Sequence, residues 1–308
     1  MYICYRIVNQ KGHIKAASIT SLLSRGLTNS TNKIAVVTEA SRGLGLELVK
    51  ELCSNFDGTV YLTTKYKKRG NCAIEKLKEL NCCPEFHVLD ITNKYSINQF
   101  ISHIRCQNLI VDTLINNSGI YFLEDSKQDI ITKAQQCVGV NFSSVVNFTE
   151  AILPFAKNGS KIVNISSSAG HLSRIPSARL RREFFREDLT LKELNCLMQR
   201  YMDAVKTGTY EAEWGESSYV VSKVALNAYT FILHRRVCCR GIIVNSVHPG
   251  YIKSDLVEGC DVMPACDCVR TPLQLALSET RGGMFVWHDG TRVPWDGPDP
   301  RGYIDGLV

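Results

Sequence analysis

Tyr219 and Lys223 have the residue types and the spacing of a proton-transfer pair. They stand four residues apart in YVVSKVALNAYTFIL, a stretch with helical character, so both side chains would project from one helix face. An unperturbed phenol has a pKa near ~10, and a nearby ammonium favours its phenolate. Proton donation works best when the pKa of the donor lies near the working pH. The pair is therefore a candidate general acid for a carbonyl oxygen that becomes an alkoxide.

Ser167 is a candidate for the same chemistry, because its hydroxyl would hydrogen-bond the substrate oxygen as negative charge develops. It lies in NISSSAG, directly after an apolar run. The Tyr-x-x-x-Lys spacing alone is weak evidence, since Tyr61 and Lys65 repeat it at the end of another apolar run. The prediction depends on finding the pair together with Ser167 and with a glycine-bearing turn near residue 40.

That turn lies in IAVVTEASRGLG, residues 34–45, which is predicted to be a strand followed by a loop. The next residues, LELVKELC, have helical spacing. A helix that begins at such a turn points backbone N–H groups at a phosphate, and its dipole also favours negative charge. The turn is a candidate cofactor site, although Glu39 places a carboxylate within it.

Short β-branched runs alternate with helical stretches from residue 33 onward, which indicates a parallel sheet with helices on both faces. The predicted strands are IAVVT, TVYLTT, FHVLD, VDTLINN, SKIVNIS, GIIVNSV and GMFVW. We predict one α/β domain over residues 33–295, preceded by an extension, residues 1–32, and followed by a loose tail, residues 296–308. An insert with two helical stretches, SARLRREFFRE and LTLKELNCLMQRYMDAVKTG, separates NISSSAG from SSYVVSK.

Polar residues follow several of these runs, and in a parallel α/β sheet ligands bind outside the carboxyl ends of the strands. Besides the glycine turn, they are Asp90, residues 116–119, residues 166–167 and residues 248–250. Each set alone is a common turn former, but their joint occurrence predicts one site at that edge. His248 is expected to be a strand-end residue rather than a catalytic base.

With these motifs in this order, the chain resembles a short-chain dehydrogenase/reductase, and it is similar to the monomeric carbonyl reductases of that superfamily. The resemblance runs from Lys33 to Trp295. It rests on TEASRGLG for the family's TGxxxGxG, LDIT, NNSG for NNAG, VNF, NISSSAG, YVVSK for YxxxK and HPGYIKSD for PGxxxTD. In carbonyl reductases an insert before the tyrosine blocks the dimer surface of other members, which implies a monomer here.

The resemblance implies a single-domain, Rossmann-type α/β fold with a doubly wound parallel sheet, NADP(H) as cofactor and a small-molecule carbonyl substrate. Asn141, Ser167, Tyr219 and Lys223 would be catalytic. Asn141 would hold a water that relays protons towards Lys223, and Lys223 would also bond the nicotinamide ribose. The predicted cofactor-binding residues are Thr38, Ser41, Arg42, Gly43, Leu44, Gly45, Lys65, Asp90, Ile91, Asn117, Ser118, Gly119, Tyr219, Lys223, Pro249, Gly250 and Ile252.

The charges near the turn favour NADPH over NADH. A 2′-phosphate needs a cation, whereas NAD-binding folds usually place an acid about 20 residues after the glycine turn. Lys65 stands twenty residues after Gly45 with no acid nearby, and Arg42 lies within the turn. Alternatively, Lys65 belongs to a solvated KYKKRG run. By resemblance Asp90 would contact the adenine, unless it is a turn or cap residue.

Glu39 stands where the family has glycine. The family needs glycine there because the backbone turns sharply close to the cofactor. A carboxylate ~4 Å from a phosphate charge costs about 1 kcal/mol in water and about 4 kcal/mol at an effective dielectric of 20. If the side chain points to solvent, backbone strain of ~1–3 kcal/mol remains. Two alternatives to the reductase therefore stay open: a protein of this fold whose cofactor binding is weak or lost and whose role is non-catalytic, and an NAD-dependent alcohol or steroid dehydrogenase.

The predicted substrate-binding residues are Ser167, Trp214, Tyr219 and Tyr251. Trp214, Tyr251 and insert residues such as Met198 and Met202 either lie near the mouth of the site or are core or lid residues. By resemblance the substrates are quinones, aromatic ketones and aldehydes, and carbonyl-bearing lipids or steroids.

The composition is that of an ordinary globular protein, 308 residues long with 44% hydrophobic residues and a net charge of +6. Beyond residue 39 the basic residues are interleaved with acidic ones, so we expect no nucleic-acid groove. No apolar segment is long enough to span a bilayer, and we expect no membrane partner. The 13 cysteines lack paired metal-binding or disulfide-framework spacing. Reduced thiols and no metal site are therefore predicted, including at Cys260, Cys266 and Cys268.

We predict a cytoplasmic protein, with mitochondrial targeting as the alternative. Residues 1–33 contain five Lys or Arg, several Ser and Thr, and no Asp or Glu, which is the composition of a transit peptide.

Overall fold

The computed structural model describes residues 32–122, 126–252 and 263–306. Within these ranges eight strands form one sheet, in the order β3-β2-β1-β4-β5-β6-β7-β8. The first seven are parallel, and β8 pairs antiparallel with β7. The strands are β1 Lys33–Val37, β2 Thr59–Thr64, β3 Glu85–Val88, β4 Ile110–Asn116, β5 Ala156–Ile165, β6 Ile243–Val247, β7 Met284–Val286 and β8 Arg292–Val293.

The helices lie between these strands and after them. They are α1 Gly43–Asn55, α2 Lys67–Glu79, α3 Lys94–Cys106, α4 Ile130–Val138, α5 Val145–Ile152, α6 Ala178–Phe185, α7 Leu191–Thr207, α8 Glu211–Trp214, α9 Ser218–Val237, α10 Arg270–Leu277 and α11 Pro300–Tyr303. A π-helical turn, Gly139–Ser144, joins α4 to α5.

The sheet is buried on both faces, as the continuous apolar runs predict. Along β1, Ile34 and Val36 belong to one apolar cluster with α3, α5 and α9, whereas Ala35 and Val37 belong to a second cluster with α1 and α10. The order of strands reverses between β1 and β4, so the carboxyl ends of these two strands flank a crevice. The predicted doubly wound α/β fold is confirmed.

All seven predicted strands are present, with ends within two residues of the prediction except at the start of β5. That strand begins at Ala156 rather than Ser160, because Ala156 already pairs with Val111 across an irregularity in the β4–β5 ladder. The eighth strand was not predicted. It has two residues in a turn-rich stretch, too few to show an alternating pattern.

The tail after residue 295 is not loose where the structure describes it, so that expectation was wrong. The helix α11 is capped by Asp299, which also pairs with Arg174 at 3.6 Å. The carboxylate of Asp305 accepts hydrogen bonds from Trp287 Nε1 at 2.7 Å and from the Tyr251 hydroxyl at 3.2 Å. Partly buried polar pairs of this kind attach the tail to the carboxyl edge of the sheet.

The insert before Tyr219 folds into α6, α7 and α8, as its helical spacing predicts. Thr190 and Glu193 form a reciprocal capping box at the start of α7, and Gly208, with φ +70°, ends it in the left-handed conformation. Residues 1–31 lie outside the described residues, so the targeting alternative stays a prediction.

In the described ranges, no helix is both long and apolar enough to cross a membrane. The same ranges contain no group of three or more His, Cys, Asp or Glu side chains placed to hold a metal ion. Cys260 lies outside them.

Candidate active site

The predicted pair lies on α9, which is buried on most of its surface. The Ser217 hydroxyl caps this helix by accepting a hydrogen bond from Val220 N at 3.4 Å. Lys223 is only 4% exposed, and its Nζ donates a 2.9 Å hydrogen bond to the carbonyl oxygen of Ile165 at the end of β5. The same Nζ lies 5.7 Å from the centroid of the Tyr219 ring. The structure therefore brings the phenol and the ammonium together at the carboxyl edge of the sheet.

Burial shifts both groups towards their neutral forms. It raises the pKa of Tyr219 to about 12, an increase that a hydrogen bond with the Ser167 hydroxyl partly offsets. It lowers the pKa of Lys223 to about 8. Desolvation, which disfavours the phenolate, is the largest cause of the raised pKa of Tyr219, although the Lys223 ammonium lies near the ring. At neutral pH Tyr219 keeps its proton, which is the form that an acid requires.

Ser167 is held beside Tyr219 by a short 3₁₀ turn, Ser168–Gly170. The carbonyl oxygen of Gly170 accepts hydrogen bonds from Asn227 Nδ2 on α9 at 2.9 Å and from Trp295 Nε1 at 2.8 Å. A Cβ at residue 170 would lie 2.6 Å from the same Nδ2, so only glycine permits this approach. The turn and α9 are thus closely packed, which places the Ser167 hydroxyl within hydrogen-bonding reach of Tyr219.

Asn141 lies in the π-helical turn, a kind of distortion often found at functional sites. Its Oδ1 accepts from Ile120 N at 2.8 Å, and its Nδ2 donates to Ile120 O at 2.9 Å and to the Ser222 hydroxyl at 3.0 Å. A Cβ at Gly119 would lie 3.4 Å from Lys223 Nζ and 3.5 Å from Asn141 Oδ1. Asn141 therefore fixes the loop after β4 close to the ammonium.

The glycine turn is joined to the end of β4 by a reciprocal set of hydrogen bonds. Thr38 Oγ1 accepts from the backbone N–H groups of Asn117 and Ser118, each at 3.0 Å, and Asn117 Nδ2 donates to Thr38 O at 2.9 Å. A Cβ at Gly45 would lie 2.6 Å from that Nδ2 and 2.8 Å from Ala40 Cα. Glycine at 45 therefore allows α1 to begin in contact with the turn.

Two features at this crevice fit a dinucleotide. Among the described residues, no side chain caps the start of α1 at Arg42, and the first turn of α1 has no acid. The first N–H groups of α1 can therefore bind phosphate oxygens. The hydroxyl of Ser118 is buried at the end of β4, with no hydrogen-bond partner among the residues that the structure describes. These groups suit the pyrophosphate and the ribose next to it.

Glu39 fits the 2′-phosphate of NADP(H) poorly. Its φ is +49°, and its carboxylate does not turn to solvent: Oε2 accepts from the Thr64 hydroxyl at 3.1 Å and Oε1 from Lys65 N at 3.3 Å. The negative charge thus lies at the carboxyl end of β2. In nucleotide-binding α/β folds, that region holds the groups that read the adenosine ribose.

The other predicted cofactor residues lie around the same crevice. Lys65 is exposed, with Nζ 5.1 Å from the ring centroid of Tyr66. Asp90 Oδ1 accepts hydrogen bonds from the backbone N–H and the hydroxyl of Thr92, at 2.9 and 2.6 Å. Asp90 is therefore a turn residue, which was the alternative to adenine binding. The remaining placements are Ser41 Oγ donating to Thr64 Oγ1 at 3.4 Å, Gly43 at φ +56°, and Leu44 and Ile91 buried in the two apolar clusters.

Beyond β6 the chain turns at Pro249 and Gly250, the latter with φ +101°, and Ile252 forms an isolated bridge with Met263. The Tyr251 hydroxyl lies 3.4 Å from Ser168 Oγ, next to Ser167 in sequence, which is consistent with a position at the substrate side. His248 is buried, and burial lowers its pKa to about 3, so it does not act as a charged group at neutral pH.

Trp214 does not lie at the mouth of the site, so its assignment as a substrate residue was wrong. It is 2% exposed and packs against Phe184 and Tyr201, with ring centroids 6.2 and 5.3 Å away. Met198 is buried in the same cluster, and Met202 packs against it. The core interpretation applies because α7 and α8 need these large side chains to bury their own apolar face.

Sequence reasoning missed three residues of the site. The Tyr121 ring lies edge-on to that of Tyr219, 5.0 Å between centroids, and is 42% exposed. Ser222 supports Asn141, and Asp305 holds Tyr251. Ser222 could have been found from its place within YVVSK, whereas Tyr121 and Asp305 lie in stretches without a motif.

Comparisons with known proteins agree with this geometry. The sequence model described as short chain dehydrogenase matches residues 33–178. The chain is 32% identical to carbonyl reductase (NADPH) 3 of Homo sapiens, over 90% of this chain and 96% of that protein, and 31% identical to carbonyl reductase (NADPH) 1 of Sus scrofa, over 89% and 98%. Among solved structures, salutaridine reductase from Papaver somniferum superposes with a TM-score of 0.73 at 26% identity, covering 82% of this chain and 99% of that one.

Proposed function

This chain belongs to the short-chain dehydrogenase family, and from that premise we propose that it reduces ketones, aldehydes or quinones to alcohols. It is an oxidoreductase that uses NADP(H). The observation that carries the proposal is the convergence of Tyr219, Ser167 and Lys223 at the carboxyl edge of the sheet, beside a crevice that suits a dinucleotide. The fold alone would not distinguish this function from others.

In the proposed reaction, the substrate carbonyl oxygen lies between the hydroxyls of Tyr219 and Ser167. When bound, NADPH supplies the hydride that adds to the carbonyl carbon. Ser167 donates a hydrogen bond to the oxygen as negative charge develops, and Tyr219 gives it a proton, which completes the alcohol. Because its pKa is raised to about 12, Tyr219 holds that proton through the neutral range.

Lys223 has two tasks in this proposal. Its ammonium stabilises the phenolate that remains after proton transfer, and it binds the nicotinamide ribose. Asn141 and Gly119 lie beside Lys223, and a water held there would return a proton from solvent to the phenolate. Gly45, Ser118 and the start of α1 would hold the pyrophosphate and the adjoining ribose.

The proposed substrates are apolar or aromatic carbonyl compounds. Tyr121 offers an exposed ring against Tyr219, and Tyr251 reaches the turn that carries Ser167, so two aromatic side chains lie beside the reacting groups. Aromatic faces favour flat apolar ligands. We also propose a monomer, on the ground of the α6–α8 insert, which size-exclusion chromatography with light scattering would test.

Titration of the purified protein with NADPH, followed by nicotinamide fluorescence, tests the proposal directly. A second measurement is NADPH oxidation with a naphthoquinone and an aromatic aldehyde. We expect saturable binding and turnover of at least one of these compounds. An absence of binding at millimolar cofactor would favour the non-catalytic alternative, and faster alcohol oxidation with NAD than reduction with NADPH would favour a dehydrogenase.

A further inference from the structure

The Glu39 carboxylate is partly buried at the cofactor crevice, and both of its oxygens accept hydrogen bonds. Its two oxygens receive the Thr64 hydroxyl and the Lys65 N–H at the end of β2. Thr64 Oγ1 in turn receives the Ser41 hydroxyl at 3.4 Å. This chain of hydrogen bonds runs from the glycine turn to β2 and ends on a negative charge.

The backbone on both sides of Glu39 is also fixed. Glu39 O accepts from Asn117 Nδ2 at 3.2 Å, and Ala40 N donates to Thr63 O at 2.8 Å. These contacts fix the point from which the side chain starts, and turning the carboxylate away from β2 would break its hydrogen bonds with Thr64 and Lys65. Left-handed backbone at a residue with a side chain is unfavourable, and it persists where surrounding contacts over-determine it.

An ionised carboxylate only accepts hydrogen bonds, and its two oxygens offer about four sites. Thr64 and Lys65 use two of these sites. The others suit hydroxyl donors. Dinucleotide-binding folds use an acid near the end of the second strand to accept the ribose 2′-hydroxyl of NAD, whereas a 2′-phosphate repels such a charge. The end of β2 itself has no acid, because it reads Thr64-Lys65-Tyr66.

We infer that Glu39, reaching from the glycine turn, is the acid that reads the ribose hydroxyls, so that this enzyme accepts NADH beside NADPH and discriminates weakly between them. The inference rests on the proposed function, since it concerns the cofactor of the same site. Cations that would attract a 2′-phosphate lie in the same part of the chain. The Lys65 ammonium and the Arg69 guanidinium are 5.1 and 4.5 Å from the centroid of the Tyr66 ring. The chain just after β2 thus carries two cations for a phosphate, next to the carboxylate that accepts hydroxyls.

The test compares dissociation constants of NADPH and NADH, measured by nicotinamide fluorescence, for the wild type, Glu39→Gln and Glu39→Gly. Glu39→Gln keeps the shape of the side chain and removes its charge. Glu79→Gln, at the exposed far end of α2, is the control with the same change in net charge. Competition by adenosine 2′,5′-bisphosphate and by ADP gives a second readout that does not involve the nicotinamide or turnover.

We expect the ratio of the NADH to the NADPH dissociation constant to rise about tenfold or more in both Glu39 variants, with the same trend for the two competitors. Glu79→Gln should leave the ratio unchanged. If both cofactors gain equally, or neither changes, Glu39 does not select the nucleotide and the inference fails while the proposed function stands. If no variant binds either cofactor, both fail.

Discussion

Asn141 is bound through both ends of its side-chain amide to one backbone unit, that of Ile120: the amide oxygen accepts the N–H at 2.8 Å and the amide nitrogen donates to the carbonyl at 2.9 Å. The pairing imitates two neighbouring strands in a place where the chain has no strand. It joins the π-helical turn to the loop after β4, and so it sets the position of Gly119 against Lys223.

Asn141→Ala should lower both stability and turnover. It leaves the Ile120 N–H and carbonyl without their partner, which costs about 1–3 kcal/mol of unfolding free energy. The loosened loop should also lower kcat for the quinone. Urea unfolding and steady-state kinetics measure the two effects. Asn147→Ala, at an exposed position on α5, should leave kcat unchanged and should not lower stability, because alanine is the better helix former. An Asn141→Ala protein with wild-type stability would contradict the structural role.

Tyr219→Phe should abolish carbonyl reduction and leave NADPH binding nearly intact. Only the hydroxyl is removed, and with it the proton that the substrate oxygen requires, so we expect kcat to fall by about 10²-fold or more. Fluorescence titration and a turnover assay separate the two properties. Tyr95→Phe removes the same atom from a side chain that is exposed on α3 and serves as the control. Retained turnover in the Tyr219 variant would exclude this residue as the acid.

The unfolding free energy should increase with pH because Lys223 loses its proton at a lower pH in the folded chain than in the unfolded chain. Burial lowers its pKa in the folded chain to about 8, from an ordinary value of 10.5, so between these values the unfolded chain binds more protons. The penalty of burying the ammonium is complete below pH 8 and is relieved as the pH approaches 10.5, an effect of up to about 3 kcal/mol. Stability therefore rises with pH in this window.

Urea unfolding at pH 7 to 10 checks this for the wild type, Lys223→Met and the exposed control Lys68→Met. Groups other than Lys223 titrate in all three proteins and cancel in the comparison. The advantage of Lys223→Met over the wild type should be largest at pH 7 and shrink as the pH rises. A constant difference would contradict the lowered pKa.

Gly45→Ala should destabilise the fold and weaken NADPH binding together. The new methyl group would lie within 2.8 Å of Ala40 Cα and nearer still to Asn117, so the turn and the start of α1 must separate, at a cost of ~1–3 kcal/mol. Gly139→Ala is the matched control: a Cβ there has no described atom within 4 Å, and the backbone is helical. The control should be stabilised by ~0.5–1 kcal/mol. Thermal unfolding and fluorescence titration provide both readouts, and unaltered NADPH affinity in Gly45→Ala would count against the assigned crevice.

The sheet could be predicted from sequence because its strands are short, buried and β-branched, and because α helices separate them. The two-residue strand at Arg292 and the docking of the tail could not, since Asp305 meets Tyr251 and Trp287 only after the chain has folded. The place of Trp214 was also mispredicted. From sequence alone, an aromatic side chain is equally compatible with a core and with the mouth of a pocket.

The positions proposed as catalytic could be selected from sequence because strand-end motifs occur in a fixed order. The raised pKa of Tyr219 could not be predicted from sequence. It depends on burial by every element packed around α9, whereas the spacing of Tyr219 and Lys223 describes only one helix. The direction of the Glu39 side chain was equally hidden. It depends on Thr64 and Lys65, which are distant in sequence and donate hydrogen bonds to the carboxylate.

The contact of Gly170 with Asn227 has a consequence for laboratory evolution of this enzyme. That contact joins the turn that carries Ser167 to α9, which carries Tyr219. A substitution that moves one of these two side chains would therefore also move the other. Libraries aimed at altered substrate range should therefore leave residue 170 and its two hydrogen-bond donors constant, and place their diversity at Tyr121 and Tyr251 on the surrounding loops.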